Sequence, residues 1–198
     1  MLTSITPLGE RSRNSSWAVT VAAFATGSTA AGALAGAAAG ATGGLAAPIF
    51  PGFSAALVLL AGAALLGATL DLEPAALRLP TVSRQVNEDW LRLYRGWVYG
   101  IGFGFQLGLG FATIVSSSAL YLAFLSALLS GSAVTGAVIG AAFGLLRATP
   151  LLAGAGVRSP DRLFVLGRRL EGWRRPSLVL ALCAQIALAL AALAAAVG

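Results

Sequence analysis

Between Gly100 and Pro150 the chain carries a single charge, Arg147, so the side chains there that can engage a solute are few. Thr113, Ser116, Ser117 and Ser118 gather four hydroxyls within six residues. Gln106 precedes Thr113 by seven residues, about two helical turns, and falls on the same face. Hydroxyls, an amide and the carbonyls freed where a helix unwinds are the groups with which membrane proteins hold a solute at depth. Arg147 would stand toward the mouth of such a path and favour an anionic or electron-rich solute. The competing reading of the same residues is packing: hydroxyls bonded to the carbonyl four residues back, and an arginine snorkelling to the headgroups.

Other chemistries lack their groups. A disulfide within the chain or a dithiol redox couple needs two thiols, and Cys183 is the one cysteine. Histidine, the commonest metal ligand, is absent. The seven acidic residues, Glu10, Asp71, Glu73, Glu88, Asp89, Asp161 and Glu171, all lie outside the apolar segments or at their ends. A buried metal site, a carboxylate relay inside the membrane, a bound cofactor and an enzymatic activity are therefore not expected.

The elements that must position these residues are membrane helices. Of 198 residues, 58% are hydrophobic and 10% charged, and the mean hydropathy is +0.86. No soluble domain hides so much apolar surface, whereas a bilayer core accepts about 20 apolar residues per helix. All thirteen basic residues are arginine. In a membrane protein such an excess serves cytoplasmic loops and anionic lipid headgroups, so membrane lipid is the expected partner, with a membrane-protein partner or a second copy beside it and no nucleic acid.

The fold class that follows is all-α: a polytopic integral membrane helix bundle of five, alternatively six, transmembrane helices with an internal duplication. Residues 1–16 read as a polar cytoplasmic tail and 17–198 as one membrane domain. Its apolar segments are Trp17 to Ala47, Phe53 to Leu70, Trp97 to Leu129, Ala133 to about Ala153, and Pro176 to Val197. A basic stretch before the first segment also fits a signal peptide. The length of that segment and its counterpart inside the chain favour a resident helix. Two polar stretches carry helical apolar stripes, Val82, Val86, Trp90, Leu93 and Trp97 in one, Leu163, Leu166, Leu170 and Trp173 in the other, as helices lying in the headgroup layer do.

The duplication is visible within the chain. Leu65-Leu66-Gly67-Ala68-Thr69 and Leu145-Leu146-Arg147-Ala148-Thr149 match at a shift of 80, as do Arg78-x-Pro80 and Arg158-x-Pro160. Glu-x-Trp-x-Arg at Glu88 returns at Glu171 at a shift of 83. Three matches in one order divide the domain into repeats 17–96 and 97–175 and a final helix 176–197. With five crossings, twelve of the thirteen arginines fall on the side of the N-terminus, which places that terminus in the cytoplasm of a cell with the protein in its plasma membrane.

Length strains this scheme. The third segment as one helix would be roughly 50 Å long against a hydrocarbon core of roughly 30 Å. The first is nearly as long, so each must tilt, protrude or break, and the expected break in the third spans Leu109 to Ser118. Glycines at fourfold spacing form three faces for close helix packing: Gly32, Gly36 and Gly40; Gly100, Gly104 and Gly108; Gly136, Gly140 and Gly144.

Gly100 to Ala155, with the entry GIGFGFQLGLG, the Ser-Gly-Ser turn and the run GAVIGAAFGLLRATPLLAGA, resembles the second half of the membrane domain in the CcdA and DsbD type of cytochrome c biogenesis thiol-disulfide electron carriers. These stand with the wider group of LysE-like permeases. The resemblance implies six crossings in two inverted halves, with a Cys-Pro pair in a broken first helix of each half. Here the matching region is Thr113-Ile114-Val115-Ser116, and the first segment offers Thr26-Gly27-Ser28-Thr29. Neither cysteine is present, and no catalytic residue carries over. The readings that follow are a small permease or exporter, then a membrane scaffold or accessory subunit, then a thiol electron carrier.

Overall fold

The computed structural model describes residues 5–49, 52–72, 93–110 and 118–197. Among them every regular element is a helix: α1 Pro7–Ser12, α2 Trp17–Ala46, α3 Phe53–Leu72, α4 Gly96–Gly108, α5 Ala119–Leu129, α6 Ala133–Ala148, α7 Pro160–Gly172 and α8 Arg174–Val197, with 3-10 turns at Ala47–Ile49 and Thr149–Gly156. Four stretches are long and apolar enough to cross a membrane: Trp17–Ala46, Phe53–Leu72, Ala133–Gly156 and Arg175–Val197. The chain is a polytopic helical membrane protein.

The third apolar segment, Trp97 to Leu129, is interrupted where its excess length predicts a break. It is two helices, α4 and the shorter apolar α5. α4 stops at Gly108, and Gly110 has a φ of 80°, a left-handed backbone that side chains other than glycine's seldom adopt. Residues 111–117 lie outside the described residues. By contrast α2 is one uninterrupted helix of 30 residues. At 1.5 Å per residue that is about 45 Å, so the excess length of the first segment is met without a break.

At the expected polar tail the structure differs. Of its described residues, Thr6 caps α1 by accepting the Gly9 N–H on its hydroxyl at 3.2 Å, with Pro7 at the first helical position. Ile5, Thr6 and Glu10 are buried, and the Leu8 N–H donates to the Val157 carbonyl at 3.1 Å. Ile5 supplies the apolar contact and Glu10 finds three donors, which together outweigh the polar character of the stretch. The amphipathic pattern at Val82, Val86 and Trp90 lies outside the described residues. In α7 the stripe buries Leu166 and half-buries Leu163 and Leu170, while Trp173, at the C-cap, is exposed.

The chain forms two compact units. Unit one comprises Met1–Gly32, Ser83–Thr113 and Ala141–Arg174. Its core joins Ile5, Val21, Phe24, Tyr99, Phe103, Ala148 and Leu151, with α1 and α7 both packed on the Thr149–Gly156 turn. Unit two comprises Ala33–Val82, Ile114–Gly140 and Arg175–Gly198. There α3 packs along α5, and Leu60, Ala61, Ala64, Leu122, Ala189 and Ala192 form the core.

Candidate functional site

Unit two contains a buried polar cluster in an otherwise apolar setting. Asp71 closes the last turn of α3, Ser118 precedes α5, and Gln185 is the twelfth of the 24 residues of α8. Their relative exposures are 9%, 4% and 3%. Three donors converge on the carboxylate: the Ser118 N–H at 2.9 Å on Oδ1, and on Oδ2 the Ser118 hydroxyl at 3.0 Å and the Gln185 Nε2 at 2.9 Å. The Gln185 Nε2 also donates to the Ser118 Oγ at 2.9 Å. Charge-assisted bonds of this kind offset much of the cost of burying a carboxylate. The Gln185 Oε1 is buried with no partner among the described residues, which leaves the cluster an unused acceptor. At 1.5 Å per residue Gln185 lies roughly 16 to 18 Å from the ends of α8, whereas Asp71 stands one residue from the end of α3.

Unit one holds a second network around Glu10. Its carboxylate accepts from Arg13 Nη2 at 2.8 Å, from the Thr20 hydroxyl at 2.8 Å and from the Tyr99 hydroxyl. Burial draws the Arg13 pKa down, but the hydrogen bond with Glu10 and the further interactions with Tyr99 and Glu10 together outweigh it, and the net displacement is upward. The Arg13 guanidinium also stands 5.7 Å from the centroid of the Tyr99 ring.

The residues singled out from sequence fall as follows. Ser118 belongs to the polar cluster of unit two, whereas Gln106 and Arg147 belong to unit one, each half-buried. Arg147 lies 5.4 Å above the Phe143 ring, four residues back on α6. Thr113, Ser116 and Ser117 lie outside the described residues. Among the glycines, an added Cβ on Gly100, Gly104 or Gly108 would meet the backbone of Thr20, Phe24 or Ser28 of α2 in turn, and one on Gly144 would meet Ser28. In unit two Gly36 and Gly136 approach each other, and Gly40 approaches Ser132. Gly32 and Gly140 are buried. The Ser28 hydroxyl donates to the Gly144 carbonyl at 2.7 Å.

Sequence reasoning missed Asp71, which sits where an apolar run meets a polar one and passes for a headgroup residue, and Glu10, which lies within a polar stretch and passes for a solvated one. One signal was present for Asp71: α3 continues to Leu72, and an acid within the last turn of an apolar helix still faces its neighbours.

A helical membrane domain with two such halves has a match. The family model of the cytochrome C biogenesis protein transmembrane region covers residues 3–161. The chain belongs to that family. Neither curated proteins nor solved structures give a match. As a cytochrome c biogenesis protein transmembrane region it is an integral membrane protein in contact with lipid. The sequence holds one thiol, Cys183, exposed on α8 and outside the residues matched to the cytochrome c biogenesis region.

Proposed function

We propose that the protein is a small multi-pass permease or exporter of the plasma membrane, built on the cytochrome c biogenesis membrane architecture and acting without thiol chemistry or other catalysis. The observation that carries this reading is the buried Asp71, Ser118 and Gln185 cluster. An ionisable side chain buried among the apolar helices of a membrane protein is costly, and such residues mark solute and ion paths. A dithiol relay needs a second thiol that the 198 residues do not hold. In this reading the Asp71, Ser118 and Gln185 cluster lines a solute path within unit two.

A second reading has its own support. The three donors that meet Asp71 come from two other elements, so the cluster also works as a clamp fastening α3, α5 and α8, as a scaffold or accessory subunit would need. The two readings separate in cells lacking the gene, profiled by mass spectrometry for solutes retained inside and released. Wild type and Cys183→Ala should restore the profile equally, and Asp71→Asn, which keeps shape and expression, should not. A profile restored by Asp71→Asn favours the clamp. Failure of Cys183→Ala with normal expression would instead return the thiol carrier.

A further inference from the structure

Unit one opens a groove of about 810 Å³ where α2 and α4 begin. Its polar wall includes Arg13, Ser15, Ser16 and Arg95. Arg13 is matched by Glu10, whose carboxylate is held behind the groove, so Arg95 supplies the net charge. Arg95 is exposed and forms no ion pair with any described residue. It is also the N-cap of α4, in extended conformation with no side-chain capping bond, so the first N–H groups of α4 have no side-chain partner. A second helix, α2, presents its N-terminus to the same groove, and both dipoles add positive potential there. The other wall is apolar: Val19, Leu93, Tyr94 and Trp97 are each half or more exposed. The groove thus joins an anion-attracting floor to an aromatic and aliphatic rim. It lies at the start of the candidate span Trp17–Ala46, the level of the headgroups.

We infer that this groove is a binding site for the phosphate group of an anionic phospholipid. Arg95 and the open N–H groups of α4 would hold the phosphate oxygens, the hydroxyls of Ser15 and Ser16 would donate beside them, and the apolar rim would cover the first methylenes of the acyl chains. Inorganic phosphate shares the recognised chemistry but gains nothing from the rim.

Native mass spectrometry of the full chain in detergent, offered equal phosphatidylglycerol and phosphatidylcholine, reads the preference directly. Wild type should retain phosphatidylglycerol, and Arg95→Gln should lower that retention about fivefold, the value of one interfacial arginine. Arg95→Lys should keep most of it, and Arg168→Gln, an exposed arginine on α7, should change nothing. Melting curves of each variant identify any that fails to fold, in which case Ser16→Ala replaces it with a smaller expected loss. Millimolar inorganic phosphate should displace little of the lipid. Equal retention by wild type and Arg95→Gln overturns the site, as does an equal loss in Arg168→Gln. Full displacement by inorganic phosphate overturns the assignment to lipid.

Discussion

Glu10 shows what burying a carboxylate requires in this chain. It is wholly enclosed, and each neighbour that faces it donates: the Arg13 guanidinium, the Thr20 hydroxyl and the Tyr99 hydroxyl. Removing the acid takes an acceptor from three donors, one of them the Arg13 cation, whereas removing any one donor leaves two of the bonds in place. Glu10→Ala should therefore destabilise unit one by about 3 kcal/mol, the scale of breaking a buried pair from one side. Tyr99→Phe, which subtracts one bond, should cost about 1 kcal/mol. Both are measured by denaturant unfolding in micelles, and a Glu10→Ala midpoint equal to wild type would mean that the network contributes nothing. Because Glu10 ties α1 to α2 and α4, residues 5–13 are part of the folded unit and cannot be trimmed without loss.

At the scale of elements, close approach between backbones sets what each helix tolerates. Gly104 faces the Phe24 carbonyl so closely that a methyl group would overlap it, and the obstacle is backbone of a core helix, which cannot swing aside. Gly62 on α3 has open space around it. Gly104→Ala should cost about 1 to 3 kcal/mol through overpacking, and Gly62→Ala should be neutral or stabilise by up to about 1 kcal/mol through helix propensity. Loss of monodisperse protein with Gly62→Ala, or none with Gly104→Ala, would reverse the packing assignment. The helices themselves were legible from the apolar runs, and the interruption of the third segment from its excess length. Thr69 and Thr149, equivalent in the internal match, bond alike to the carbonyls of Leu66 and Leu146 at 2.8 and 2.7 Å. What the sequence withheld was partnership. Asp71 and Gln185 are 114 residues apart, and no periodicity within either helix says that one side chain meets the other.

For the whole molecule the open question is how the chain threads the bilayer. Among the described residues four stretches have the length of a crossing, and α4 and α5 are two shorter helices where a fifth is expected. If that pair crosses together, the chain passes five times. The arginines at 11 and 13, those of the first polar stretch and those from 158 to 175 then share one face, which the preference of arginine-rich loops assigns to the cytoplasm. If α4 and α5 instead enter and leave on one side, the first polar stretch and the 158–175 stretch come to lie on opposite faces, and the agreement is lost. Reporter fusions at Ser15, Gly52, Gln85, Gly131, Arg168 and Gly198 should accordingly read inside, outside, inside, outside, inside, outside. Gly131 and Arg168 are the decisive pair, because they flank the stretch Ala133–Gly156 and follow α4 and α5. An inside signal at Gly131 would mean that α4 and α5 do not cross, and an outside signal at Gln85 would break the scheme at its first loop and make six crossings the better arrangement.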